Sequence, residues 1–159
     1  MTRADLGKDP EEVSSMFDGV ARRYDLVNDL LSLGQTKRWR KKVVKIVDPK
    51  AGMKILDIAA GPGSSTQPLF EGGAEVVALD FSEGMLAQGR KVRPYLNFVK
   101  GDALNLPFNE NQFDLTTISF GIRNTKDFEK ALREALRVTK VGGRIVIVEF
   151  STPTSRFFR

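Results

Sequence analysis

The chain has 159 residues, enough for one domain with its own core and hardly for two. Its 41% hydrophobic and 28% charged residues are ordinary for a globular protein and exclude a collagen-like or largely disordered chain. With no cysteine and no histidine, it cannot form disulfides, thiolate or imidazole metal sites, thiol nucleophiles or a Ser-His-Asp triad, while a formal charge of +5 leans towards anionic partners.

The first residues, MTRADLGKDPEEV, are polar and lack the apolar run of a targeting signal. Nowhere do about 18 apolar residues run together, as a membrane span requires. The expected compartment is the cytoplasm. Asp9-Pro10-Glu11-Glu12 reads as a helix start, with Asp9 as cap, Pro10 in the first turn and Glu12 closing a capping box. Val13, Met16, Phe17 and Val20 then repeat at helical spacing. A short second helix is predicted from Leu26 to Ser32, ended by Gly34, and a third from a Thr36 cap to about Val47. Lys37, Arg38, Arg40, Lys41, Lys42 and Lys45 crowd this third helix, with Trp39, Val43, Val44, Ile46 and Val47 between them. Either this is a packed helix with a solvated basic face, or the face is drawn to an anionic membrane surface. Nucleic acid is disfavoured, because no aromatic-rich platform for single strands accompanies the charge. Asp48-Pro49 and Ala51-Gly52 break the chain, so residues 1–48 read as an N-terminal helical cover and 49–159 as an α/β domain, together one structural unit.

From Lys54 onwards short apolar runs alternate with helical stretches. Strands are predicted at Lys54–Ile58, Glu75–Asp80, Asn97–Lys100, Phe113–Ser119 and Arg144–Phe150. Helices are predicted near Ser65–Glu71, Glu83–Lys91 and Asp127–Thr139, with a loop at Leu106-Pro107-Phe108. The alternation implies a parallel sheet flanked by helices, and such sheets bind ligands at the carboxyl ends of their strands.

The first strand runs into Asp57-Ile58-Ala59-Ala60-Gly61-Pro62-Gly63. The glycines are either a tight turn or a loop that lets backbone approach a ligand. A dinucleotide fingerprint would carry a third glycine where this chain has Thr66, and Asp57 would sit badly beside a pyrophosphate. Asp80 ends the second strand and is placed to accept both ribose hydroxyls; Ser82 is free to cap the following helix in its stead. Asp102, after the third strand, is either a turn aspartate or an acceptor for an adenine amino group. Three acids beside a glycine loop describe an adenosine site without a pyrophosphate receptor. S-adenosylmethionine (SAM), which has an adenosine, a sulfonium cation and no phosphate, fits that description. The fourth strand ends in Ser119-Phe120-Gly121-Ile122-Arg123-Asn124, an ordinary loop with Asn124 as a helix cap, or a polar cluster opposite the cofactor.

Two stretches carry a specific resemblance. Tyr24-Asp25-Leu26-Val27-Asn28-Asp29-Leu30-Leu31-Ser32-Leu33-Gly34, with Trp39 following, and Arg137-Val138-Thr139-Lys140-Val141-Gly142-Gly143-Arg144, leading into Glu149-Phe150-Ser151, resemble the two signatures of the UbiE/MenG family of quinone-biosynthesis C-methyltransferases. The likeness runs from Met16 to Pro153. It implies a Rossmann-like class I SAM-dependent methyltransferase, with SAM as cofactor, no metal, and methyl transfer to a ring carbon of a prenylated demethylmenaquinol in menaquinone synthesis. It also implies that Gly61, Pro62 and Gly63 line the methionine part of SAM, with Asp57 just upstream and proline where the family usually has threonine. Asp80 would hold the ribose, Phe81 beside it would also bind the cofactor, Asp102 and Ala103 would frame the adenine, and Ser119 would contribute from the fourth strand. Arg123 and Asn124 would position a water near the acceptor, assisted by Tyr24 or Asp25 from the cover, or Arg123 would stabilise an oxyanion. The acceptor would reside in the membrane, which places the protein in the cytoplasm and peripherally on the inner face of the cell membrane.

This fold class carries seven strands, in the order three-two-one-four-five and then seven and six, whereas this chain ends just after the fifth. The expectations are an exposed fifth strand inviting a homodimer, and weak turnover. The alternatives are a ubiquinone-pathway, other small-molecule or RNA methyltransferase, a non-catalytic SAM-binding fragment, and a nucleotide-dependent oxidoreductase, the last disfavoured by Thr66 and Asp57.

Overall fold

The computed structural model describes residues 35–150, together with Met16 and Ser32. The first two predicted helices, with Tyr24, Asp25 and Asn28, lie outside the described residues, as do residues 151–159.

The described chain runs α1 (Gln35–Val47), β1 (Lys54–Ile58), α2 (Thr66–Glu71), β2 (Glu75–Asp80), α3 (Glu83–Val92), β3 (Asn97–Lys100), β4 (Phe113–Ser119), a 3-10 turn (Ile122–Asn124), α4 (Phe128–Val138) and β5 (Thr139–Val148). The strands form one sheet in the order β3-β2-β1-β4-β5. Each neighbouring pair is parallel. Because β1 lies mid-sheet, its alternating side chains feed two cores. Leu56 and Ile58 pack with Leu79, Leu106, Phe113, Ile118 and the α4 residues Ala135 and Val138. Ile55 packs on the other face with Val43 and Val47 of α1, Leu69 of α2, Val76 and Leu115. Helix α1 thus shares the sheet's own core.

Caps explain several boundaries. Ser82 accepts the Met85 N–H at 3.1 Å and opens α3, which leaves Asp80 uncommitted to that helix. Asp127 caps α4 by accepting the Lys130 N–H at 2.9 Å, while Asn124, the other candidate cap, lies in the 3-10 turn. Helix α1 starts before Thr36, and its first turn leans on Ser32, whose carbonyl accepts the Gln35 N–H at 2.9 Å.

The largest departure is the fifth strand, expected over Arg144–Phe150 and found over Thr139–Val148. Thr139 pairs with Phe113 and Arg144 with Leu115, so β5 carries a bulge of extra residues. Gly142 takes a φ of 80° there. At Gly143 a Cβ would lie 2.7 Å from the Asp114 carbonyl oxygen. These glycines lie between the expected helix, to Thr139, and the expected strand, from Arg144; the sheet uses them as a bulge within the strand. The same irregularity sends Phe113 and Leu115 to opposite cores, although strict alternation would put them on one face.

Arg144 has a second use. Its guanidinium donates to the carbonyls of Ile46 at 3.0 Å and Val47 at 2.6 Å, orphan acceptors at the end of α1. Arg144→Ala is therefore expected to cost about 1–2 kcal/mol. In a denaturant titration, fluorescence from Trp39, the single tryptophan, should shift before the loss of secondary structure.

Candidate functional site

The carboxyl ends of β1, β4 and β5 surround a cavity of about 420 Å³, within the usual range for a small-molecule site. One wall is the loop after β1, with Ala59, Ala60, Gly61, Pro62, Ser64 and Ser65. Thr36, Trp39, Arg40 and Val43 of α1, with Ser32, close it from above, and Ser119, Phe120, Arg123 and Phe150 form the far wall.

Two non-glycine residues on this rim hold left-handed backbone, Ala59 with φ 56° and Phe120 with φ 58°. Such strain persists only where surrounding structure enforces it, and it recurs at functional sites. Here the two bends meet: a Cβ at Gly121 would run into the Cβ of Ala59. Sequence reading noted Phe120-Gly121 but missed Ala59.

Asp57 is wholly buried beneath the loop. Its carboxylate accepts from Thr117 at 2.7 Å, Thr66 at 2.7 Å and Ser65 at 2.8 Å. Burial pushes its carboxyl above the ordinary value of 3.8, and the three hydroxyls pull partly back. Asp57, expected among the cofactor-binding residues, is the internal tie between β1, β4 and the glycine loop and does not line the cavity. Thr66, in the place of the missing third glycine, is one strand of that tie.

The two loop glycines also divide. Gly61, with φ 57°, lines the cavity. Gly63, with φ 86°, is buried, and a Cβ there would lie 2.8 Å from the ring of Phe98. Its place is against β3, not on the cavity wall. Pro62 does line the cavity, and its carbonyl accepts from Arg93 at 2.9 Å. Arg93 also bonds Gln67 at 2.8 Å, so it tethers the loop from outside.

Asp80 ends β2 as expected. It accepts the Gly61 N–H at 2.7 Å and the Ser82 N–H at 2.9 Å. Burial raises its carboxyl from 3.8, against those backbone donors. A carboxylate has about four acceptor positions, so Asp80 fastens the loop and retains room for a ligand hydroxyl. Its neighbour Phe81 is exposed at 37%. Asp102 accepts the Leu104 N–H at 2.8 Å, the turn-aspartate alternative, with Ala103 half-buried beside it. Asp80, Phe81, Asp102 and Ala103 lie outside this cavity's lining, round the β2 and β3 ends.

The far wall is aromatic. Trp39 lies 5.5 Å from both Phe120 and Phe150, and those two rings are 4.9 Å apart. Arg123 stands 5.3 Å over the Phe150 ring and pairs with Glu149. Asn124 does not line the cavity. Sequence reading missed the three-ring cluster and Glu149. Trp39, Glu149 and Phe150 stood in the two signature stretches and Phe120 in the run after the fourth strand, but no local spacing joins them; the β4–β5 register brings Phe120 and Phe150 together.

The residues present suit SAM. No lysine or arginine stands in the loop from Asp57 to Thr66 to receive a pyrophosphate, and the acids that hold that loop, Asp57 and Asp80, are compatible with a sulfonium and with ribose hydroxyls.

Comparison with known proteins gives a consistent answer. The family model described as the ubiE/COQ5 methyltransferase family matches residues 5–159. A demethylmenaquinone methyltransferase from Paenarthrobacter aurescens is 57% identical over all of this chain, which covers 63% of that protein. Those of Streptomyces avermitilis and Mycobacterium marinum are 57% and 56% identical, with 69% and 68% of their lengths covered. The chain thus spans about two thirds of the curated relatives it matches. Among solved structures, the YcgJ protein from a Bacillus superposes with a TM-score of 0.68 at 26% identity, over 75% of this chain and 53% of that one. A putative methyltransferase from Bacillus halodurans gives 0.68 at 27%, over 75% and 54%.

Proposed function

Because this chain belongs to the ubiE/COQ5 methyltransferase family, we propose that it binds SAM and serves methyl transfer to a ring carbon of a prenylated demethylmenaquinol in menaquinone synthesis. The observation that carries this reading is a single cavity walled by a glycine loop on one side and by three aromatic rings with an arginine on the other. When bound, SAM supplies a methyl group already activated by its sulfonium. What the protein must add is alignment and the removal of water.

In this reading Asp80 takes the ribose hydroxyls, Phe81, Asp102 and Ala103 frame the adenine, and Gly61, Pro62 and Ser119 flank the methionine part. Asp57 and Gly63 act at one remove by fixing the loop's shape. The rings of Trp39, Phe120 and Phe150 receive a flat aromatic acceptor. Arg123 stabilises negative charge on the acceptor's oxygen as its hydroxyl proton leaves, which makes the ring carbon nucleophilic. Asn124, and Tyr24 or Asp25, assist through water. Supporting the arginine's part is its place on the cavity wall.

The basic face of α1 supports a lipid-borne acceptor. Arg38, Lys41, Lys42 and Lys45 are exposed on the side of α1 opposite Trp39, Val43 and Val47. We assign this face to an anionic membrane surface, at about 1 kcal/mol per basic residue, on the cytoplasmic side. Among the described residues no helix is long and apolar enough to cross a membrane. Vesicles with anionic lipid should sediment the protein and neutral vesicles should not, with the difference lost at high salt. The β5 edge, paired only with β4 among the described strands, is assigned to self-association; a monomer by light scattering would overturn that.

The primary test is thermal stability with SAM, its demethylated product and NAD in parallel. SAM at about 100 times its Kd should add about 2.7 kcal/mol, or roughly 5–10 °C. A shift with NAD alone would overturn the reading in favour of a redox enzyme. SAM binding without methyl transfer to a demethylmenaquinol would leave a non-catalytic SAM-binding module.

A further inference from the structure

Residues 101–112 join β3, at one edge of the sheet, to β4, on the far side of β1, and they form neither helix nor strand. Such a connection leaves backbone donors and acceptors that other groups must satisfy. Here two side chains of α4 satisfy them. Glu134 accepts the Leu106 N–H at 2.8 Å. Arg137 donates to the Leu106 carbonyl at 3.0 Å and to the Phe108 carbonyl at 2.8 Å. The two side chains also hold each other, at 2.7 and 2.8 Å. Leu106 is thus gripped at both of its backbone groups, and its side chain is buried in the core with Ala135 and Val138 of the same helix. The grip extends to Asp102 from two directions. The Asn105 N–H, next to Leu106, donates to the Asp102 carbonyl at 3.0 Å. Pro107, between the two gripped carbonyls, leans on Gly101, where a Cβ would lie 3.1 Å from the proline ring.

We infer that Glu134 and Arg137 are positioning residues for the adenine base: from α4 they fix the loop that carries Asp102 and Ala103, and so set how strictly the site reads the base. This rests on the reading above in which Asp102 and Ala103 frame the adenine, and it adds the pair that holds them in place without touching the ligand. A site tells one base from another only while its groups keep their places to within about 0.5 Å. The turn from Asp102 to Asn105 has short-range bonds of its own, including the Leu104 N–H to the Asp102 carboxylate at 2.8 Å, but none of these fixes the turn relative to the sheet. The α4 pair does. A guanidinium suits the task because its planar fork reaches two carbonyls and a carboxylate at once, which the single centre of a lysine ammonium does not. The pair is charge-assisted and half-buried, so it is held more firmly than an exposed pair. The ribose is spared in this arrangement, since Asp80 is fastened separately, by the Gly61 and Ser82 N–H groups.

The test is calorimetric titration of the 159-residue chain with S-adenosylhomocysteine and with S-inosylhomocysteine, which carries a carbonyl in place of the adenine amino group. The proteins are the wild type, Arg137→Gln and a control, Arg133→Gln. Arg133 is exposed on the same helix and pairs with Glu129. The wild type should prefer the adenosyl ligand. Arg137→Gln should lose about tenfold in affinity for the adenosyl ligand and under about twofold for the inosyl one, so that the preference shrinks. A residue that served stability alone would leave the ratio of the two affinities where it was. The control should bind both ligands as the wild type does. An equal loss for both ligands, or an unchanged preference, would overturn the inference while leaving the SAM reading in place. A wild type that binds both ligands equally would overturn the adenine frame and this inference with it, and one that binds neither would overturn the SAM reading as well. If Arg137→Gln does not fold, Pro107→Ala carries the test. That proline is exposed, and its loss removes the ring that leans on Gly101. It should reduce the preference severalfold, and an unchanged preference would again refute the role of the clamp.

Discussion

Asp57→Ala is expected to lose about 3–5 kcal/mol of stability, since it strands two wholly buried threonine hydroxyls, and Ser65 with them. For a domain of this size that is roughly 10 °C or more in melting temperature, and a large part of the usual margin of about 5–15 kcal/mol. Asp57→Asn keeps the shape and one good acceptor, so about 1–2 kcal/mol is expected for it. Chemical denaturation of the three proteins decides the point, and equal stability of the alanine variant would refute the role of Asp57 as the internal tie.

The asparagine variant should also change the pH profile. The native carboxyl of Asp57 is raised by burial, so between about 3.8 and that higher native value the folded state holds a proton that the unfolded chain has released. Stability therefore falls as pH rises through that window, and Asp57→Asn should flatten the fall. Asp80, raised for the same reason, retains its share. Asp114 and Glu134 act in the opposite sense. The Lys140 ammonium and Lys54 N–H lower Asp114, and the Arg137 guanidinium lowers Glu134. Their contributions are present above the ordinary carboxylate values and disappear as pH falls through the lowered native ones. The Asp114–Lys140 pair is a third to nearly half exposed, so the slope from it is small, whereas Glu134 is only 17% exposed and contributes the larger share.

Gly63→Ala is the second large effect, expected at about 2–4 kcal/mol. The cost has two parts. A left-handed φ of 86° penalises any side chain, and the new Cβ would press on the Phe98 ring. Gly89 of α3 crowds Phe98 as well, since a Cβ there would lie 2.5 Å from the ring. In a Phe98→Leu background the packing part of the Gly63→Ala cost should vanish and the backbone part of about 1–2 kcal/mol should remain. If the whole cost vanished, the glycine would be needed for packing alone. SAM affinity should fall in parallel with loop distortion, although Gly63 does not line the cavity.

Much of the architecture was legible from local signals. Alternating apolar runs placed the first four strands, Ser82 disclosed its cap, and the glycine loop with its acids pointed to an adenosine ligand carrying no phosphate. Those features depend on neighbours a few residues away, and hydrogen-bond periodicity and capping express such neighbours directly. The sequence determined by itself that this is a parallel α/β domain without thiol or imidazole chemistry, bearing a SAM-type loop and two family signatures.

Only the tertiary structure decided which of those residues line the cavity. Asp57 and Thr117 lie 60 residues apart and meet because β1 and β4 are paired in one register. Gly63 turned out to serve Phe98, and Gly142-Gly143 to belong to a bulge within β5, because the partner lies on another strand. The aromatic wall of Trp39, Phe120 and Phe150 follows from how α1 is laid across the sheet. Periodicity tells a residue's side of its own element; which element it then meets depends on strand order, register and helix docking, contacts distant in sequence that no local spacing records.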